Sequence, residues 1–101
     1  MSNYQSSSDF KYLASLLKHV PNETQAFIHF DQQMIKRTDG VIPTKTRELI
    51  ALAIALTTQC AYCIDVYVKG AKRAGASVDE LAELISISAS VRSGATMAMV
   101  C

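Results

Sequence analysis

Apolar residues recur at three- and four-residue steps along most of the chain, and this spacing predicts helices. The first helix follows a predicted N-cap at Asp9 and ends before Pro21. The second helix, with Pro21 among its early residues, runs through Glu23 to about Arg37. No stretch alternates with a period of two, so the chain is predicted to be all-α, with five to six helices.

The third predicted helix opens at Pro43 and Thr44, and its central part, from Leu49 to Leu56, is apolar on every side. A helix of this kind has to be surrounded by other apolar surfaces. A chain of 101 residues has little material to surround it. We therefore expect a second subunit to cover part of this helix.

The fourth predicted helix runs from about Cys60 to Ala74 and stops at Gly75, which suits a left-handed residue. Ser77 and Glu80 have the spacing of a capping box and predict the start of the fifth helix. Gly94 is a candidate break in that last segment.

Residues 1–8 are polar and rich in serine, and they predict a flexible arm ahead of a single domain over residues 9–101. The net charge of +1 offers no basic surface for nucleic acid, and the longest apolar run is too short to span a membrane. With no secretory signal in the first residues, the expected location is the cytoplasm. Half of the residues are hydrophobic, which again favours a surface covered by a partner.

Cys60 and Cys63 form a CxxC motif at the start of the fourth helix, and Tyr67 lies one turn further on the same face. The unpaired N–H groups of a helix start favour a thiolate, which is the reactive form of cysteine. In the cytoplasm such a pair is more often redox-active or metal-binding than structural. Cys60 is expected to be the more accessible thiol and Cys63 the more buried one.

Glu48 precedes Cys60 by twelve residues and is followed by the apolar run. If the third and fourth helices fold back on each other, its carboxylate approaches Cys63 and Tyr67, where a buried acid can accept and return protons. The alternative is an ion pair with Lys45 or Arg47 at the helix start. The spacing leaves both interpretations open.

Three groups of residues resemble a known family: 45–53 (KTRELIALA), 60–65 (CAYCID) and the small and acidic residues between 71 and 80. They are similar to the carboxymuconolactone decarboxylase family, and within it to the CxxC-bearing, AhpD-like alkylhydroperoxidases. The resemblance implies a helical bundle that assembles as trimers or hexamers and reduces hydroperoxides. It further implies Cys63 as the peroxide-attacking thiol, Cys60 as the resolving thiol and Glu48 as the proton-relay acid. The disulfide is then reduced by a dithiol partner such as a lipoylated protein, without a cofactor.

Tyr67 occupies the position at which the family motif has histidine. Tyrosine has a reference pKa of about 10 against about 6.5 for histidine, so it donates a hydrogen bond but is a poor base at neutral pH. His19 and His29 belong to earlier helices and are expected at the surface or as satisfied core residues. Weaker peroxidase turnover is therefore expected, and a general disulfide reductase or a redox sensor stays open.

Three other interpretations compete with a thiol peroxidase. A zinc site needs four ligands, whereas one CxxC supplies two and Cys101 is a poor third, so no metal is predicted. A decarboxylase-like, non-redox enzyme would not rely on a CxxC. A structural oligomer would carry Cys60 and Cys63 as inert core residues, since cysteine is often buried.

Overall fold

A computed structural model describes residues 11–98 of the chain, and these residues form five α-helices and no strand. The predicted all-α class is confirmed. None of the helices in this part of the chain combines the length and the apolar character needed to cross a bilayer. The predicted arm at residues 1–8, the N-cap at Asp9 and Cys101 lie outside the described residues.

Helices α1 (Lys11–His19) and α2 (Pro21–Ile35) are joined by Val20 alone and contact each other at this bend. Proline cannot continue the hydrogen bonding of α1, but its fixed φ suits the first position of α2. Helix α2 ends two residues before the predicted Arg37. Lys36 caps it by donating its N–H to the carbonyl oxygen of Gln32 at 2.8 Å.

Helices α3 (Thr44–Thr58) and α4 (Ala61–Arg73) form the most extensively packed pair. Between them Gln59 adopts a left-handed conformation, with φ of 57°, which lets the chain reverse within two residues. The N–H of Cys60 then donates to the carbonyl oxygen of Ala55 at 3.2 Å. This short reversal makes α3 and α4 antiparallel and fixes Cys60 at the start of α4.

Helix α4 ends as predicted at a left-handed glycine, Gly75, whose φ is 99°. The following N–H, of Ala76, donates to the carbonyl oxygen of Ala71 at 2.9 Å and so satisfies a free carbonyl of the helix end. The N–H of Glu80 donates to Oγ of Ser77 at 3.0 Å, while Oε1 of Glu80 accepts from the N–H of Ser77 at 2.8 Å. The predicted capping box is confirmed.

Helix α5 (Val78–Ala98) is continuous, so the expected break at Gly94 is wrong. A glycine within a helix costs about 1 kcal/mol relative to alanine, which is too little to interrupt a helix of this length. Residues 91–98 are all exposed, although Arg92 still donates from Nη1 to the carbonyl oxygen of Thr57 on α3 at 3.3 Å.

The core lies where α3, α4 and α5 meet, around Leu52, Ala71 and Leu81. One face of α3 is buried there, but Ile50 and Ile54 on another face are 45% and 58% exposed. The expectation that α3 is surrounded on every side is therefore not met within one copy of the chain. Partly buried apolar residues complete the core: Leu49, Leu56, Ile64, Tyr67, Val68, Ala76 and Leu84.

Candidate active site

Cys60 is the N-cap residue of α4, and its sulfur takes the place of the usual capping oxygen. The N–H of Cys63 donates to Sγ of Cys60 across 3.3 Å. Both cysteines are partly buried and carry free thiols. The two sulfurs therefore lie within one helical turn, in the reduced state.

Burial, together with the hydrogen bond to Cys60 and the charges of Cys60 and Asp31, raises the pKa of the Cys63 thiol to about 11. The expectation that the helix start favours the thiolate is thus wrong for Cys63. The main reason is burial, which outweighs the stabilisation of the thiolate by the N–H group of Cys63. That N–H group also donates to the sulfur of Cys60.

Tyr67 follows Cys63 by one turn and is partly buried in the same cleft. Burial raises the pKa of Tyr67 to about 12, with further contributions from the negative charges of Asp31, Cys63 and Glu48. The phenol is protonated at neutral pH and can donate a hydrogen bond. The prediction that Tyr67 cannot replace histidine as a base is supported by this environment.

Glu48 is 2% exposed and lies against α4. Its Oε2 accepts from Nζ of Lys36 at 2.7 Å, whereas its buried Oε1 has no partner among the described residues. A Cβ atom placed on Gly70 would lie 2.5 Å from this Oε1. Gly70 therefore leaves the space that the carboxylate occupies, three residues beyond Tyr67.

Neither of the partners expected in the alternative interpretation of Glu48 pairs with it. Lys45 donates to Glu80 at 3.0 Å, across to α5. Arg47 donates from Nε to the carbonyl oxygen of Ile42 at 2.8 Å and from Nη1 to that of Met34 at 2.5 Å. Glu48 is left to face α4, on the side of Tyr67, and Lys36, the residue that caps α2, supplies the positive charge beside it.

Cys63 and Tyr67 line a cleft of about 430 Å³ between α2, α3 and α4. Its walls are almost entirely apolar. The α2 end and the following loop contribute Met34, Ile35 and Ile42. Helix α3 contributes Arg47, Ile50, Ala51, Ile54, Ala55 and Thr58. An apolar molecule can therefore reach the thiol of Cys63 without crossing a polar surface.

Sequence reasoning missed Asp31, Lys36 and Gly70. Asp31 is the first acidic residue after Glu23 within the apolar stripe of α2, and its charge raises the pKa of Cys63 and Tyr67. An acidic residue within an apolar stripe could have indicated that Asp31 belongs to the site. No feature of the sequence indicates that Lys36 pairs with Glu48.

The two histidines, His19 and His29, are exposed and lie on α1 and α2, as expected. Within residues 11–98 no three histidine, cysteine or acidic side chains are grouped so that they could hold a metal ion.

The sequence profile of the carboxymuconolactone decarboxylase family matches residues 21–100, which include helices α2 to α5. The chain belongs to the carboxymuconolactone decarboxylase family. A relative within the curated proteins is "Uncharacterized protein 4 in cox locus" of Paracoccus denitrificans, 45% identical over 60 residues. That match covers 59% of this chain and 54% of the relative, so the chain spans about half of the relative's length. The family assignment agrees with the resemblance found in residues 45–80, and it extends over α2, which carries Asp31 and Met34.

Proposed function

We propose that this family member is a thiol-dependent oxidoreductase of the AhpD-like branch, which reduces hydroperoxides through Cys60 and Cys63. One observation carries the proposal: two free thiols one turn apart, one of them lining an apolar cleft beside a phenol and close to a buried carboxylate. This arrangement suits a reaction in which one sulfur meets the substrate and the other resolves the product. A reducing compartment such as the cytoplasm would keep the pair ready to react.

In the proposed cycle Cys63, as thiolate, attacks the terminal oxygen of a hydroperoxide. The O–O bond breaks, the alkoxide leaves and takes up a proton, and Cys63 becomes a sulfenic acid. The thiol of Cys60 then attacks the sulfur of Cys63, which forms the disulfide and releases water. A dithiol partner, such as a lipoylated protein, takes the disulfide back to two thiols and is itself oxidised.

Protons are proposed to move through Tyr67, one turn from Cys63, and through Glu48, which lies against Gly70 and whose charge acts at Tyr67. Tyr67, protonated at neutral pH, donates a hydrogen bond to the leaving alkoxide. Glu48 acts as the relay acid, since it is buried and its Oε1 is not engaged by another described residue. Lys36 holds the carboxylate in place through Oε2.

A second candidate is a general disulfide reductase or a redox sensor, which the Cys63 environment also favours. A thiol with a pKa near 11 attacks peroxide slowly at neutral pH, and Tyr67 supplies no base. A protein that reacts slowly with peroxide, but exchanges its disulfide with a dithiol, would fit this chemistry.

The test treats the reduced protein, with Cys101 replaced by serine, with one equivalent of an organic hydroperoxide. We expect the loss of two thiols per chain, a mass decrease of two hydrogen atoms and a peptide pair joined through Cys60 and Cys63. In the Cys60→Ser variant a sulfenic acid should be trapped at Cys63. In the matched Cys63→Ser variant the peroxide should persist.

The same experiment separates the alternatives. Unchanged thiols after peroxide would contradict the proposed peroxidase. If the thiols also stay unchanged when the protein is treated with an oxidised dithiol, the remaining interpretations are a decarboxylase-like enzyme and a structural oligomer. A Cys60–Cys63 disulfide that forms with the oxidised dithiol, which is thereby reduced, but not with peroxide identifies the second candidate.

We further propose that the chain assembles as a homo-oligomer, a trimer or hexamer. Helix α5 carries Ile87 and Val91 one turn apart, 58% and 63% exposed, and α2 carries Phe27 and Phe30, 59% and 64% exposed. Apolar surfaces of this extent are typical of contacts between proteins.

Replacing both Ile87 and Val91 by glutamate is expected to shift the assembly to smaller species, because each contact would have to bury two charges. Sedimentation equilibrium at matched concentrations measures the change. Val41→Glu is the control, since Val41 is 99% exposed in a loop and belongs to neither stripe. A monomeric parent protein at micromolar concentration would contradict the proposed assembly.

A further inference from the structure

The cleft beside Cys63 follows one face of α3 over three turns. Its α3 lining residues are spaced three and four apart, from Arg47 near the start of the helix to Thr58 at its end. Because α3 and α4 are antiparallel, Cys63 lies beside the Thr58 end and Arg47 marks the opposite end. An α-helix rises about 1.5 Å per residue, so the two ends are about 16 Å apart, comparable to an extended chain of roughly ten carbon atoms.

Arg47 is the one charged side chain among the described residues that line this cleft. Its guanidinium group is held by two backbone carbonyl oxygens, of Ile42 and Met34, and forms no ion pair within residues 11–98. The carboxylate of Asp39 lies within reach of its charge but is exposed and bonded to Nε of Arg37 at 3.0 Å. Arg47 thus presents a fixed positive charge, with donors left over, at the edge of an apolar surface.

The opposite end of the cleft is negative in character. The charge of Asp31 raises the pKa of both Cys63 and Tyr67. Glu48 does not belong to this end, because it follows Arg47 on α3, and its carboxylate is paired with Lys36 at 2.7 Å. An anionic group is repelled at this end and attracted at the Arg47 end. The field along the cleft therefore orients a ligand that is charged at one end and apolar along its length.

We infer that the cleft binds a medium-chain aliphatic carboxylate, with its carboxylate on Arg47 and its far end beside Cys63. Isoleucine side chains at positions 42, 50 and 54 contact the chain between these ends. This inference rests on the proposed function. The substrate class is then an aliphatic acid whose hydroperoxide group lies near the end of the chain away from the carboxylate. The carboxylate takes no part in the O–O cleavage and only positions the molecule.

Binding is tested without thiol chemistry, on the full chain with both Cys60 and Cys63 replaced by serine. Calorimetric titration compares decanoate with decanol and decylamine, which share the chain but differ in charge. We expect decanoate to bind about tenfold more tightly than decanol, because of the charge-assisted hydrogen bonds to Arg47. Decylamine should bind more weakly than decanol, and octanoate should bind about fifteenfold more weakly than decanoate, since each methylene contributes about fourfold.

Methyl resonances locate the ligand. Those of Ile50 and Ile54 should shift with decanoate, whereas those of Ile85 should not, because Ile85 lines a separate depression that shares no residue with the cleft. Equal affinity for decanoate and decanol, or shifts confined to Ile85, would overturn the inference. The inference would also be overturned if none of the aliphatic ligands binds, which is the result expected if a second copy of the protein fills the cleft.

Arg47→Gln provides the variant test. The decanoate preference should fall to that of decanol, while decanol itself binds as before. If this variant does not fold, Ile54→Glu places a negative charge in the cleft wall and should weaken decanoate more than decanol. Retention of the full decanoate preference in a folded variant contradicts the inference. Intact binding in a protein that fails to reduce peroxide would overturn the proposed function alone.

Discussion

Replacing Tyr67 by histidine is expected to speed the oxidation of Cys63 by hydroperoxide about a hundredfold at pH 7. With its pKa near 11, the Cys63 thiol is ionised in roughly one molecule in ten thousand at that pH. The neighbouring phenol, with its pKa near 12, cannot take the proton. An imidazole one turn away can, because it is largely neutral and basic at pH 7.

The pH dependence carries the same argument. Because the reactive form of Cys63 is the deprotonated one, the rate of the unmodified protein should rise about tenfold per pH unit between pH 7 and 10. In the Tyr67→His variant the rise should flatten above about pH 7, where the imidazole is already a base. Stopped-flow measurement of hydroperoxide consumption gives the rate at each pH for both proteins. Alkylation by iodoacetamide in the Cys60→Ser variant reports the reactivity of Cys63 alone over the same pH range.

Tyr67→Phe is the matched control for this experiment, since it keeps the ring and removes the hydroxyl group. It should retain the steep pH profile and gain no rate at pH 7. If Tyr67→His reacts no faster than the parent protein, proton transfer does not limit the reaction of Cys63. The relay assigned to the cleft would then be contradicted.

The elements that the sequence predicts well are those decided by a few neighbouring residues. The capping box of Ser77 and Glu80 and the left-handed Gly75 need no tertiary contact, and both are present where expected. The local rule fails at Gly94, because the loss of helix stability from one glycine is too small to interrupt a helix of 21 residues. Local rules therefore place the ends of α2, α3 and α4 and the start of α5 to within two residues.

The environment of the thiols could not be obtained in this way. The helix-start rule predicts a stabilised thiolate, but burial raises the pKa of Cys63, and that burial depends on how α4 packs against the other helices. The pairing of Lys36 with Glu48 joins two helices through a twelve-residue separation that contains a loop. Such pairings follow from the packing of α2 on α3, which no periodicity specifies.

Replacing Gly70 by alanine is expected to destabilise the protein by about 1–3 kcal/mol, despite the better helix propensity of alanine. The new Cβ would approach three atoms of the Glu48 side chain to between 2.5 and 2.8 Å. Glu48 is 2% exposed, so its carboxylate cannot turn into solvent without giving up Lys36 or displacing core residues. Urea denaturation at a fixed protein concentration measures the free energy of unfolding.

The Glu48→Ala background makes this expectation specific, because the obstructing carboxylate is then absent. There, Gly70→Ala should stabilise the protein by about 1 kcal/mol, as helix propensity alone predicts. Gly94→Ala is the second reference, since a Cβ at Gly94 meets no atom within 4 Å and should stabilise the helix in either background. A change of sign between backgrounds at Gly70, and none at Gly94, would place the Glu48 carboxylate against α4 in solution. If Gly70→Ala is equally tolerated in both backgrounds, the Glu48 carboxylate does not lie against Gly70, and the proposed proton relay through Glu48 is contradicted.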